Sequence, residues 1–140
     1  MLINAAIEDL GFPRVSCDDA VAAEQALTHL ISLGHTRVGM VLGPTDHVPS
    51  QRKQDAFAAA AKTTNLTLEP DAFEHAMFSL EGGQAAAARL VKRGITGIVC
   101  ASDPQALGAI RAVRRQGLSV PQDVSVIGYD DSAFMNCVDP

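Results

Sequence analysis

The chain has 140 residues, a formal net charge of −5 and 47% hydrophobic residues. A chain of this length forms one domain of ordinary size and buries roughly two-thirds of the surface that its unfolded form exposes. The acidic charge balance argues against this chain alone wrapping a nucleic acid or binding an anionic membrane. No segment approaches the ~18 uninterrupted apolar residues of a membrane-spanning helix, and the start does not resemble a signal peptide. We therefore expect a globular, cytoplasmic protein without membrane contact.

Motifs of metal, redox and common enzymatic chemistry do not occur in the sequence. Cys17, Cys100 and Cys137 are far apart, and the four histidines show no spacing typical of zinc ligands. The sequence contains no GxGxxG, no Walker loop and no GxSxG. We therefore expect no metal, no cofactor and no enzymatic activity.

Short apolar runs alternate with helical segments along the whole chain, which indicates repeated βα units. The predicted strands cover residues 2–3, 13–16, 37–42, 73–77, 98–101 and 124–127, and the predicted helices cover residues 18–33, 50–64, 79–93 and 103–117. Glycines 34, 94 and 117 stand at the helix ends, where a left-handed C-cap is common. In the last helix, Leu107, Ile110 and Val113 form the apolar stripe. The pattern predicts an α/β fold, a doubly wound parallel sheet with helices on both faces.

Loops that leave the carboxyl ends of parallel strands lie along one edge of the sheet. Here those loops are residues 43–49, 78–79, 102–103 and 128–131. They bring carboxylates, hydroxyls and aromatic rings to one place, which suits a polar ligand with an apolar face. The residues concerned are Asp46, His47, Phe78, Ser102, Asp103, Tyr129 and Asp130.

Each of these residues also has a purely structural interpretation. Asp103 stands before Pro104 at a predicted helix start, so we expect it to be an N-cap with proline at the first helical position. Asp130 is either part of a polar turn or an acceptor for ligand hydroxyls. Phe78 is either a core ring or a ring that stacks on a sugar-like face.

Arg52 and Lys53 fall in the first turn of the predicted second helix, where cations oppose the helix dipole. This local cost favours a functional role. Two solvated side chains on a surface helix remain the alternative.

Three segments, in this order, resemble the regulatory domain of the lactose-repressor (LacI/GalR) family of bacterial transcription factors. They are ALTHLISLGHTRVGMVLGP (26–44), SQRKQDAF (50–57) and ASDPQALGAIRAVRRQGLSVPQDVSVIGYDD (101–131). The stretch 117–131, with the pattern GL-x-VP-x-DVSV-x-GYDD, is the most typical of the family.

The resemblance implies a type I periplasmic-binding-protein-like fold, in which a ligand binds between two subdomains. Residues 1–33 are expected to be a remnant of the first subdomain and the connecting helix. Residues 34–140 are expected to be the second subdomain, incomplete at its end. The resemblance also implies a homodimer, and contact with operator DNA only through a helix-turn-helix domain that this chain does not contain.

Effector-binding residues are assigned by the same resemblance. Asp130 matches the family aspartate that accepts effector hydroxyls, and Phe78 aligns with the aromatic that stacks on the effector. Ser102 and Asp103 fall on a family Asn-Asp pair. The family arginine falls on Lys53, and the adjacent Arg52 is expected to compensate, because lysine replaces a bidentate fork with a point charge.

The sequence thus predicts a sensor for a small, sugar-like effector that controls operator binding. The alternative is a periplasmic solute-binding protein of a transport system, which shares the fold. An enzyme on the same fold is the third hypothesis.

Overall fold

The computed structural model describes residues 2–3 and 11–138, and within them strands alternate with helices as predicted. The helices are α1 (Asp19–Ser32), α2 (Val48–Thr63), α3 (Leu80–Lys92) and α4 (Asp103–Arg115), followed by a 3-10 helix at Ala133–Cys137. The strands are β1 (Leu2–Ile3), β2 (Arg14–Val15), β3 (Val38–Leu42), β4 (Phe73–His75), β5 (Gly97–Cys100) and β6 (Ser125–Ile127).

The main sheet is parallel, and its strands lie in the order β4-β3-β5-β6. β1 and β2 form a separate parallel pair. Parallel pairing places the carboxyl ends of β3, β4, β5 and β6 at one edge of the sheet. The predicted fold class is therefore confirmed, and the predicted ligand-binding loops share one edge.

Helices cover both faces of the main sheet. Successive side chains of β3 and β5 point to opposite faces, and all of them are buried, so both faces need a covering layer. On one face, Leu27 of α1 and Phe57 of α2 pack with Met40, Leu42 and Val99. The opposite face is covered by α3 and α4, which pack against Val41, Ile98 and Cys100. Burial raises the pKa of the Cys100 thiol well above its ordinary value, so this cysteine is an apolar core residue without thiolate character.

Helix α1 belongs to the predicted segment 1–33, yet it packs Leu27 and Leu30 onto the main sheet. Both side chains are fully buried. The division of the chain at residues 33 and 34 stays a prediction, and α1 is part of the core that surrounds the sheet.

Glycines after three helices adopt the left-handed conformation that the sequence predicts. Gly34, Gly94 and Gly117 have φ angles of +89°, +80° and +77°. A side chain would be strained at each of them. These glycines follow the ends of α1, α3 and α4. After α1 and α3 the chain returns to the sheet, and after α4 a turn precedes β6.

The prediction for the buried stripe of α4 is wrong in part. Val113 is fully buried, whereas Leu107 and Ile110 are only half-buried. The core face consists mainly of small residues because α3 crosses α4 closely: a Cβ atom at Gly83 would overlap the backbone of Gln105. Large side chains cannot fit at such a crossing.

Candidate functional site

A pocket of about 420 Å³ lies at the carboxyl edge of the main sheet and contains five of the six predicted effector-binding residues. We call it the edge pocket. Its walls come from the N-terminal parts of α1, α2 and α4 and from the loops after β4 and β6. Its lining residues are Asp19, His47, Pro49, Arg52, Lys53, Phe78, Ala101, Ser102, Pro104, Tyr129, Asp130 and Ser132.

Phe78 forms an aromatic wall of the edge pocket and is not a core residue. Its side chain is partly open to solvent, with 39% of the residue exposed. The ring meets His47 edge to face, with 5.4 Å between the ring centroids. It rests directly on Gly43, where a Cβ atom would come within 2.6 Å of Phe78 Cε2. The ring is therefore held in place and leaves a surface on which a ligand can stack.

The prediction that Asp103 caps α4 is wrong. The N-cap is Ser102, and Asp103 is the first residue of the helix. The buried Asp103 carboxylate instead accepts hydrogen bonds from Tyr129 N at 3.1 Å and Ser132 N at 2.6 Å. Sequence reasoning missed these bonds because 26 and 29 residues separate the partners. Asp103 therefore anchors the loop after β6, and it does not line the edge pocket.

Asp130 lies between these two anchored amides and lines the edge pocket. It is exposed, and its φ angle is +89°. Asp131 follows with a φ of +51°. Aspartate tolerates this left-handed conformation better than most residues, although it costs free energy. The Asp103 carboxylate thus supports a strained loop that places Asp130 at the rim of the pocket.

Lys53 is held in the edge pocket by groups from two other elements. Its Nζ lies 2.7 Å from Asp19 Oδ1 and 3.6 Å from the centre of the Tyr129 ring. Burial lowers the pKa of Lys53, but the hydrogen bonds and charge interactions with Asp19 and Tyr129 outweigh it, and the pKa is raised. Lys53 is therefore a fixed cation, which excludes the alternative of a solvated surface side chain.

Arg52 shares the carboxylate of Asp19, with its Nε at 3.4 Å from Asp19 Oδ2. Because α2 begins at Val48, two residues before the predicted start, Arg52 and Lys53 lie in the second turn. They therefore oppose the helix dipole less than the sequence suggested, since the dipole effect weakens beyond the first turn.

Two buried polar atoms of the edge pocket have no hydrogen-bond partner within the described residues: Arg52 Nη1 and Ser102 Oγ. Ser102 is 7% exposed. Buried polar groups are almost always hydrogen-bonded, and an unpaired one is costly. Both atoms can donate, but neither is open to solvent, so a ligand would reach them only after a neighbouring side chain moves.

Asp19 is a charged residue of the edge pocket that the sequence did not indicate as part of the site. The predicted helix of residues 18–33 begins with Asp18 and Asp19, and acids suit a helix start. This holds for Asp18, whose side chain accepts from Ala20 N and Val21 N as the N-cap of α1. No local signal in the sequence indicates that the next residue pairs with two cations of α2. Asp46, which was placed on the same edge, lies outside the lining of the edge pocket.

A cavity of about 800 Å³ adjoins the edge pocket and shares Asp19, Lys53, Tyr129 and Asp130 with it. Its other walls are largely apolar and come mainly from α1, α4 and β6, with Met40, Phe57 and Val99 from β3, α2 and β5. Asp103 also lines this cavity. Polar groups of the edge pocket therefore continue into an apolar space beside β6.

The described part of the chain offers neither a cluster of metal ligands nor a membrane-spanning helix. Over residues 2–3 and 11–138, no group of three or more His, Cys, Asp or Glu side chains is placed to hold a metal ion. Within the same residues, none of the helices is long and apolar enough to cross a membrane.

Comparisons with known proteins agree with this architecture. Residues 27–140 match the family of periplasmic binding protein-like domains. The chain is 46% identical over 144 residues to the HTH-type transcriptional regulator MalR of Streptomyces coelicolor. This match covers 100% of the chain and 42% of MalR, so the chain spans about two-fifths of this curated relative.

Solved structures give the same result. A complex of the transcriptional regulator CelR with cellobiose superposes with a TM-score of 0.79 at 32% identity, covering 88% of this chain and 40% of that one. The lac repressor dimer bound to operator and the anti-inducer ONPF gives a TM-score of 0.80 at 27% identity, covering 89% and 43%. The family model, the regulator sequences and these folds all identify one family, and the chain belongs to the LacI/GalR family of transcriptional regulators through its periplasmic-binding-protein-like effector domain.

Proposed function

We propose that this chain senses a small, sugar-like effector in the edge pocket and thereby controls operator binding by a regulator. The observation that carries the proposal is that one pocket brings together the carboxylate of Asp130, the cations Arg52 and Lys53 and the ring of Phe78. The pocket thus offers donors, an acceptor and an apolar surface to one ligand.

A sugar matches this combination of groups. Its ring and hydroxyl oxygens accept hydrogen bonds from donors such as Arg52 and Lys53. Its hydroxyl groups donate to a carboxylate such as Asp130, and its C–H face packs on an aromatic ring. The pocket volume of about 420 Å³ lies within the usual range for small-molecule sites. The cellobiose complex of CelR supports a sugar as the ligand class.

Regulation is favoured over solute transport by the relatives. MalR is a transcriptional regulator, and the lac repressor structure is a dimer bound to operator. We infer that this chain acts as a homodimer in the cytoplasm. It would contact DNA only through a helix-turn-helix domain, and effector binding would shift the equilibrium between arrangements of the DNA-binding domains.

Tyr129 makes the proposal testable without a label. It is the one tyrosine of the chain, which has no tryptophan. Since Tyr129 lines the edge pocket beneath Lys53 and also lines the adjoining cavity, its fluorescence reports on binding in either space. We would titrate the 140-residue chain with cellobiose, maltose, glucose, glucose 6-phosphate and inorganic phosphate, extending each titration to millimolar concentration. A weak, saturable response to at least one neutral sugar is expected in the millimolar range, because the resemblance implies a ligand site between two subdomains and mainly the second lies in this chain.

Two variants make the titration specific. Asp130→Asn removes the carboxylate at the rim and should weaken the response. Asp55→Asn makes the same chemical change at an exposed position of α2 and should leave it unchanged. If none of the three neutral sugars produces saturation, the proposed ligand class is wrong. Saturation by phosphate alone would identify an anion site instead.

A further inference from the structure

Gln105 is a fully buried polar residue near the start of α4, outside the set of residues that the sequence analysis proposed. Its amide nitrogen Nε2 lies 3.0 Å from the carbonyl oxygen of Leu42, 3.2 Å from that of Met77 and 3.4 Å from that of Ala76. Leu42 is the last residue of β3. The other two carbonyls belong to the segment between β4 and α3. The side chain therefore links three elements at the carboxyl edge of the sheet.

The three carbonyl groups determine the orientation of the amide. Rotating it by half a turn would place Oε1 against carbonyl oxygens, which only accept. In the orientation present, Oε1 is buried and has no hydrogen-bond partner in the described part of the chain. An unpaired buried acceptor is unfavourable. The Gln105 amide therefore donates to backbone carbonyls while its own oxygen stays unpaired, and this unpaired oxygen lowers the stability of the fold.

Two of these carbonyl oxygens do not depend on Gln105 for a partner. Leu42 O also accepts from Ala76 N at 3.0 Å, and Met77 O accepts from Ser79 N at 2.7 Å. Removing the amide would leave both of them hydrogen-bonded. Because Ala76 N already bonds the segment after β4 to the end of β3, the specific contribution of Gln105 is to tie both of them to α4 and to extend the link to Met77.

The carbonyl groups that Gln105 links belong to direct sequence neighbours of the aromatic wall of the edge pocket. Phe78 directly follows Met77, and Gly43, on which its ring rests, directly follows Leu42. We propose that Gln105 is a positioning residue that holds the turn of residues 76–79 in register with the end of β3, so that the Phe78 ring stands in the pocket. Its relevance to ligand binding rests on the proposed function of the pocket.

Replacing Gln105 with an apolar residue of similar length tests this role. Gln105→Met removes the donors and the unpaired acceptor together. Backbone order parameters from ¹⁵N relaxation would be measured for residues 77–79, along with urea unfolding of the whole chain. We expect the order parameters of the turn to fall from about 0.85 towards about 0.6. The urea midpoint should change little, because the loss of the donated hydrogen bonds is offset by the removal of the unpaired buried acceptor.

Gln116→Met is the matched control. It makes the same change at the exposed C-cap of α4, where Nε2 is 3.5 Å from Ala112 O. It should leave the turn of residues 76–79 rigid. Unchanged order parameters in Gln105→Met would overturn the proposal. So would a general loss of order throughout the sheet, because that would show a role in the core as a whole.

Gln105→Leu provides a second apolar replacement. If neither variant folds, Gln105 is required for folding itself and the positioning role is wrong. Titration with cellobiose separates this proposal from the proposed function. If the wild-type chain binds cellobiose, the affinity of Gln105→Met should fall about tenfold. If the wild-type chain binds no sugar while the turn still loosens in the variant, the sensor function fails and the positioning role stands.

Discussion

The carboxylate of Asp19 lies 2.7 Å from the ammonium group of Lys53, although 34 residues separate them in the sequence. Asp19 is in the first turn of α1, and Lys53 is in the second turn of α2. The side chains are only 11% and 15% exposed. Arg52 and the ring of Tyr129 join the same cluster. One ion pair thus connects two helices and the loop after β6 at the proposed ligand site.

Asp19→Asn should destabilise the fold. The variant leaves two cations largely buried without their counter-charge, and breaking a pair that is fully buried costs about 3–5 kcal/mol. Because both partners keep some solvent contact, we expect a loss of about 2 kcal/mol in the free energy of unfolding. Urea unfolding at neutral pH measures it.

Asp18→Asn is the control for this prediction. Asp18 is the N-cap of α1, and asparagine caps helices about as well as aspartate. The free energy of unfolding should therefore change little. If Asp18→Asn and Asp19→Asn destabilise the chain equally, the cluster around Lys53 contributes nothing beyond the helix start.

Lys53 should make the stability of the chain dependent on alkaline pH. Its pKa is raised in the folded state, so the charged form binds its partners more strongly there than in the unfolded chain. The resulting stabilisation is fully present below the ordinary lysine pKa of about 10.4 and is lost as the pH rises through the folded-state value. The free energy of unfolding, measured between about pH 8 and about pH 11, should decline less for Lys53→Met than for the wild type.

Lys62→Met removes an exposed lysine near the end of the same helix and serves as the comparison. Its decline with pH should match that of the wild type. An equal decline in the Lys53 and Lys62 variants would show that the ion pair adds no pH-dependent stability.

Asp130→Asn and Asp103→Asn should separate ligand binding from loop stability. Asp130 is exposed and its left-handed backbone accepts asparagine, so the free energy of unfolding should barely change. Loss of charge-assisted hydrogen bonds to ligand hydroxyls should weaken effector binding about tenfold or more. Fluorescence titration of Tyr129 with the best sugar of the panel measures this affinity.

Asp103→Asn should mainly reduce stability. Both carboxylate oxygens accept from backbone amides, and the amide group of asparagine would direct an N–H towards one of those donors. We expect a loss of about 1–3 kcal/mol in the free energy of unfolding. Unchanged stability in this variant would contradict the anchoring of the loop after β6.

Gly43→Ala should displace the aromatic wall of the edge pocket. The new Cβ atom would overlap the ring of Phe78, so the ring must move away from the end of β3. Sugar affinity should fall while the Tyr129 environment stays intact. Gly117→Ala places the same methyl group far from the pocket, where nothing lies within 4 Å, and should lower stability through its positive φ without affecting the ring.

The sequence by itself determined the order of the elements, the parallel sheet with helices on both faces and the edge that carries the pocket. These features follow from local periodicity and from glycines with a positive φ, such as Gly34 and Gly94, and both signals act over a few residues. The family motif then selected Phe78 and Asp130 from the residues of that edge.

Only the tertiary structure decided what the polar side chains of the edge contact. The local sequence predicts that Asp103 caps its own helix, whereas in the structure it holds a loop that follows 26 residues later. Lys53 pairs with Asp19, and the amide of Gln105 joins β3 to the turn before α3. Such contacts depend on how separate helices and loops meet across the sheet. A carboxylate or an amide can serve several partners equally well, and nothing in the neighbouring sequence indicates which one the fold will bring within hydrogen-bond distance.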